Sequence, residues 1–305
     1  MTADTATARS RGSLAAEMAR ARRRRYRAFI GRLFAHRSFL LGFVLLGGIV
    51  VLAAGANVIA PYNPDQNDYH SFLAPPSAAH WMGTDEFGRD VMSRVIFGTR
   101  VSLRIGLGVV VASGILGTLI GALAGYVRWL DGALMRCMDG LMAFPGVLLA
   151  IALAAALGPS ELSAIVALTV TFTPRTARIV RASVIVTKRM LYVEAALAAG
   201  AGHLRVLFRY ILANTLSPLI VQLTFMFAVS ILAEAILSFL GVGPPPPQPS
   251  LGNIIAGGRA YIQEAPWVTI YPGLAIACAV LGLNLMGDGL RDTIDPRLRT
   301  VREPR

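Results

Sequence analysis

Charge is scarce: Asp, Glu, Lys and Arg make up 15% of the 305 residues, against roughly 25% in an average soluble domain. That shortage argues against an ordinary hydrated surface and favours a chain that sits in lipid. Lysine is nearly missing, with Lys188 alone beside 28 arginines. The phosphate-binding loop G-x-x-x-x-G-K-[ST] needs a lysine after glycine. Here Lys188 follows Thr187, so the chain supplies no ATP site of that kind. Cysteine is limited to Cys137 and Cys278, beside or within apolar segments, which excludes a disulfide framework. His36, His70, His80 and His203 are scattered without the paired spacing of an H-E-x-x-H metal site, and no G-x-S-x-G nucleophile motif occurs. A net charge of +12 would suggest nucleic acid in a soluble protein. The basic residues instead flank apolar runs, which is a membrane pattern and excludes a nucleic-acid partner.

What is abundant is apolar sequence, at 55% of the chain. A transmembrane helix needs about 20 mostly apolar residues to cross ~30 Å of hydrocarbon. Six segments meet that description: Phe39 to Ala60, Ser102 to Tyr126, Leu141 to Gly158, Leu162 to about Ala182, Leu216 to Leu240 and Trp267 to Leu290. The expectation is an all-α, polytopic membrane protein with six transmembrane helices. The first span outlasts the roughly 7 to 15 apolar residues of a signal peptide and reads as an anchor. The third carries Pro145, and the fourth carries Arg175, Arg178 and Arg181 after Pro174.

Cations fix the expected orientation. Residues 1–38 hold ten arginines; with 127–140, 183–215, the Arg175 to Arg181 end of the fourth span and the tail from Arg291, one side collects 24 of the 29 cations. The segments 61–101, 159–161 and 241–266 hold four. Both termini are therefore expected in the cytoplasm. Of the outer segments, 241–266 contains Pro244 to Pro247, a stiff extended run that either caps an outer entrance or merely crosses it.

Gly117, Gly121 and Gly125 recur every fourth residue on one face of the second span, a pattern that lets helices pack closely in lipid. Thr169 and Thr173 share a face of the fourth span. They either line an aqueous substrate path or bond back to carbonyls of their own helix, and the second reading is the simpler. Glu234 is the one acid well inside a span and so a transport candidate by default. Its place near the outer end leads us to expect contact with water. Tyr192 to Ala199 is built of good helix formers, Gly200 and Gly202 permit a change of direction, and His203 to Leu212 resumes at helical spacing. From periodicity alone this stretch is either a surface helix or a docking element. A stand-alone ion-driven transporter is an open alternative at this level. A membrane enzyme is not supported, because no convergent set of catalytic residues lies within the spans.

The order Glu194, Ala195, Ala196, Gly200 and later Ile211 and Leu212 resembles the EAA motif of ABC importer permeases. Three further stretches, GTDEFGRDVMSRVIFGTRVSL from Gly83, LSFLGVGPPPPQPSLG from Leu237 and NLMGDGLRDTIDPRLR from Asn284, resemble the C-type permease subunit of dipeptide, oligopeptide and nickel importers. The likeness runs from about residue 35 to residue 300. It implies the type I permease fold: a basic cytoplasmic segment 1–38, a first helix and external loop at 39–100, a five-helix core at 101–290 with a coupling loop at 187–215, and a cytoplasmic tail at 291–305. It also implies Glu194, Ala195, Ala196, Gly200 and Arg205 as the surface that meets an ATPase subunit. The implied assembly is a heterodimer with a second permease subunit, two ATP-binding subunits and an external solute-binding protein, in the bacterial inner membrane. This chain would bind no cofactor itself, ATP and Mg belonging to the ATPase subunits. The cargo would be di- or oligopeptides, or a related solute such as glutathione or nickel. Ala213 stands where the family usually has proline after Ile-Leu, which implies a more continuous helix into the fifth span.

Overall fold

The computed structural model describes Arg24 and residues 27–294. Most of the basic segment 1–38, and of the tail 291–305, falls outside the described residues. What is described is helical, with a single isolated bridge pairing Thr84 and Asp90.

Helix α1 spans Arg37–Ala54 without a charge after its first residue, and one further turn follows at Ala56–Ile59. It lies against the last helix, α9 (Trp267–Ile294), where Gly42 brings the two backbones close enough that a Cβ there would sit 2.5 Å from the Met286 nitrogen. Helix α2, Val91–Tyr126, has 36 residues and is about 54 Å long at 1.5 Å per residue. It begins well before Ser102 because Asp90 caps it, accepting from the Ser93 N–H at 2.8 Å. Its first turns carry Arg94, whose charge is met by Asp85.

That cap closes a loop built by the GTDEFGRD stretch. Arg89 Nε donates to Asp85 Oδ2 at 2.7 Å, Arg94 Nη1 donates to the Pro64 carbonyl at 3.0 Å, and His80 Nδ1 lies 3.0 Å from Asp90 Oδ1. Trp267 Nε1 then donates to the Thr84 carbonyl at 3.1 Å. Asp85, Arg89, Asp90 and Arg94 are thus buried, in a loop that the Trp267 bond ties to the start of α9.

The third expected span is broken. Helix α3, Arg128–Met142, and helix α4, Gly146–Leu157, meet at 89°. Pro145 removes the N–H that would have carried the helix onward. With 12 residues, α4 rises only about 18 Å and does not cross by itself. Helix α5, Glu161–Lys188, follows with 28 residues, capped by Ser160. It is long enough to cross but carries too many cations in its second half to qualify by composition. Among the described residues four helical stretches are long and apolar enough to span, or five if the bent pair counts as one. The expected six are therefore not all met. The shortfall lies in the third and fourth segments, where Pro145 and the α5 arginines sit.

Helix α6 is Leu191–Ala198. A short turn at His203–Arg205 and a π-helical turn at Val206–Ile211 lead without a break into α7, Leu212–Phe239. Helix α8, Leu251–Gly258, is held by a capping box between Ser250 and Asn253. The seam between α2 and α5 is the most extensive in the bundle. A Cβ at Gly117 would lie 2.6 Å from the Thr176 Cβ, and one at Gly125 would lie 2.8 Å from the Val184 Cβ. Gly121 faces the Ala177 carbonyl on the same seam. Only absent side chains allow two helices that near one another.

Candidate coupling site

The stretch between α5 and α7 projects as a small, firmly seated unit. Val193 on α6 and Val206 after the turn are both fully buried, in one cluster with Val180 and Val184 of α5 and Ala122 of α2. The opposite face is open: Leu191 is 83% exposed, Leu204 73% and Phe208 62%. Glu194, Ala195 and Arg205 lie on exposed positions and Ala196 is half-buried. Exposed large apolar side chains of this kind, Leu191 on α6 and Leu204 and Phe208 beyond the turn, read as a place where another surface docks.

Gly200 terminates α6 with φ at +83°. The Gly200 N–H donates to the Leu197 carbonyl at 2.9 Å and the Ala201 N–H to the Ala196 carbonyl at 3.0 Å, which is the Schellman pairing. Nothing lies within 4 Å of a Cβ added at Gly200. Glycine is thus required by backbone conformation and not by space.

Three residues that the motif does not single out lock this unit to the bundle. The Tyr126 hydroxyl at the end of α2 meets His203 Nδ1 at 2.7 Å, and Lys188 Nζ donates to the Tyr126 carbonyl at 2.9 Å while lying 4.9 Å from the centre of its ring. Asn214 Nδ2 donates to the Tyr192 hydroxyl at 2.9 Å, joining α6 to α7. The uniqueness of Lys188 in so arginine-rich a chain was the available signal. The exposed Ala213 sits in unbroken helix, as the missing proline implies, though the approach is π-helical instead of regular.

The residues proposed for a substrate path are placed differently. Thr169 and Thr173 are both buried where α5 faces α2. The Thr173 hydroxyl donates to the Thr169 carbonyl at 2.7 Å, and Ser113 of α2 donates to the same carbonyl at 3.4 Å. Thr173 thus follows the back-bonding alternative. Thr169 Oγ1 has no partner among the described residues. Glu234 does not meet water as expected from its position near the end of the span: it is fully buried. Its Oε2 accepts from Ser102 of α2 at 2.6 Å and its Oε1 from Ser238 at 2.6 Å. Proximity to a helix end did not expose it because α8 and the Ser250 cap fold over that end of the bundle. Nearby, the Pro245 to Pro249 run faces Arg100 and Arg104 across a cavity of about 880 Å³.

On the α3 side, Arg181 pairs with Asp131 through Nε and Nη2 at 2.5 and 2.6 Å, and Arg178 pairs with Asp139 at 2.5 Å. The amphipathic α3 thus neutralises two of the α5 arginines. Among the described residues no group of His, Cys, Asp or Glu is arranged to hold a metal ion.

Residues 117–300 match the family model described as binding-protein-dependent transport system inner membrane component, and residues 25–76 match the N-terminal TM domain of oligopeptide transport permease C. The chain is 54% identical over 272 residues to a putative peptide transport system permease protein of Brucella abortus, covering 88% of this chain and 90% of that one. It is 46% identical to a di/tripeptide transport system permease protein of Pseudomonas aeruginosa over 88% of this chain and 91% of that one. With a glutathione transport system permease protein of Pectobacterium atrosepticum it shares 42% identity, over 85% of this chain and 86% of the relative. The multi-pass helical bundle, the projecting unit between α5 and α7 and these matches agree: the chain belongs to the binding-protein-dependent transport system inner membrane components, among the C-type permeases.

Proposed function

We propose that this chain is one permease half of an ATP-driven importer of di- or oligopeptides, with a second permease subunit forming the other half of the pathway. Two ATPase subunits would bind ATP and Mg, and an external binding protein would deliver the cargo. Both termini and α6 face the cytoplasm in this reading, in keeping with the distribution of cations. The observation that carries it is α6 itself: a short helix with Leu191, Glu194 and Ala195 exposed, whose other side is wedged on the ends of α2 and α5. Closure of an ATPase groove around such a helix would push on those two long helices as rigid bodies, which is how a docking element turns nucleotide binding into alternating access.

Peptide is the preferred cargo because the relatives described above are named for peptide, di/tripeptide or glutathione, a tripeptide. The test is uptake of labelled tri-alanine into proteoliposomes holding this chain, its co-expressed permease partner and the ATPase subunits. Uptake that needs ATP inside the ATPase compartment and binding protein outside supports the reading. Uptake that proceeds without the ATPase subunits, driven by an ion gradient, would overturn it.

A further inference from the structure

Arg175, Arg178 and Arg181 recur along α5 at helical spacing, yet they are not treated alike. Arg178 and Arg181 have the acids of α3, whereas Arg175 is exposed and has no ion-pair or hydrogen-bond partner among the described residues. It lines a cavity of about 710 Å³ between α5, α7 and α9. Arg291 of α9 enters the same cavity, together with Ser217, Gln222, Val221 and Phe225 of α7, and among the described residues no acid lines it. Asp288, one turn before Arg291, is not part of the lining, and Asp292 is engaged by His36 at 3.2 Å.

The two sides of the bundle differ in what they present. On α2 the exposed stripe Leu107, Val111, Ile115 and Leu119 is wholly apolar, as suits a face against lipid chains. The cavity lies on the reverse side of α7: Leu223 and Phe227 pack toward Gly114 and Gly106 of α2, while Val221, Gln222 and Phe225 project away from that seam at 100° per residue. Arg175 and Arg291 are exposed at the cation-rich end of the bundle, and a guanidinium there faces water or a polar partner, because hydrocarbon is too costly a surrounding for it. Ser217 and Gln222, with Arg175 and Arg291 opposite, thus give this side of α7 polar groups that the α2 stripe lacks.

We propose that this cavity is a station on the substrate route that holds the C-terminal carboxylate of the peptide, with Arg175 and Arg291 as the charged ligands. A guanidinium is matched to a carboxylate by its paired N–H groups, and Gln222 and Ser217 offer neutral hydrogen bonds beside it. The carboxylate is the group that peptides of any sequence keep, so a site that grips it tolerates variable side chains against Val221 and Phe225. The inference rests on the peptide-import reading and names the part of the cargo that this chain recognises.

The test uses the whole nucleotide-free assembly in nanodiscs, without binding protein, so that selectivity arises in the permease alone. Binding of tri-alanine and of tri-alanine amide is followed by saturation-transfer NMR. The expected result is that the acid binds at least tenfold more tightly than the amide, in line with loss of a charged hydrogen bond. Arg175→Gln and Arg291→Gln should each remove most of that preference while leaving amide binding where it was, and the Lys variants should restore part of it. Only variants that copurify with the ATPase subunits are compared, and the Lys variants serve where a Gln variant does not assemble. Equal binding of acid and amide by the wild type, or an undiminished preference in the variants, overturns the proposal. So does loss of bound phosphatidylglycerol from the variants with peptide binding intact. Uptake of peptide by an assembly that shows no acid preference removes this site alone, whereas failure to take up any peptide removes the underlying function as well.

Discussion

The Tyr126 hydroxyl lies 2.7 Å from His203 Nδ1, so the last residue of the longest helix is joined directly to the turn that follows α6. In the proposed coupling, motion of α6 would reach α2 through this hydrogen bond as well as through the buried valines beneath it. Tyr126→Phe removes one exposed hydrogen bond, at a cost of about 1 kcal/mol. Amide exchange across residues 199–205 should then speed up roughly fivefold, with the helices themselves unchanged. Exchange at the wild-type rate would show that the valine contacts alone hold the unit.

Gly200 sits at φ +83°, a region that costs an L-residue about 1–2 kcal/mol. Gly200→Val should leave membrane insertion and assembly intact but tilt α6 out of register. The number of ATP molecules hydrolysed per peptide taken up should therefore rise severalfold. Gly200→Asn, which tolerates this conformation, should stay near the wild type. Normal coupling in a correctly inserted valine variant would refute the role given to this turn.

At the seam of α2 and α5, Gly117→Val places new atoms where the Thr176 Cβ would stand 2.6 Å from even a single added carbon. Overpacking of this kind costs about 1–3 kcal/mol. A lowered midpoint of detergent-induced unfolding is expected for Gly117→Val, and little change for Gly47→Val, which has nothing within 4 Å.

Glu234→Ala strips the acceptor from the buried hydroxyls of Ser102 and Ser238. Each orphaned group costs about 1–3 kcal/mol, so thermal stability should fall clearly. Glu234→Gln keeps an acceptor and should lose less. If the alanine variant kept full stability but lost uptake, the residue would belong to transport instead of to the joint between α2 and α7.

Reporter fusions after Ser77 and after Arg305 test orientation. The first should report the external side and the second the cytoplasm; a cytoplasmic signal after Ser77 would invert the topology argued from the cations.

Much of the architecture was legible in the chain. Long uncharged runs become helices in lipid whatever their neighbours, so α1, α2, α7 and α9 could be read from composition, and the four-residue glycine spacing pointed to a close seam. Glu194 to Gly200 could be read as a short helix and a turn because alanine and glycine act locally. Legibility failed where partners distant in sequence decide. Composition starts the second span at Ser102, but α2 begins at Val91, because Asp90 caps it and Asp85 pairs with Arg94. Glu234 looked wet near a helix end, but Ser102, more than a hundred residues away, and the cap before α8 enclose it. Arg175, Arg178 and Arg181 looked equivalent until α3 folded beside two of them. Local propensity and hydropathy act within a turn or a span, and by themselves they determined a helical membrane bundle with an excursion between its fourth and fifth segments. Which charges are paired, buried or left facing a cavity depends on long-range packing, and only the tertiary structure decided that.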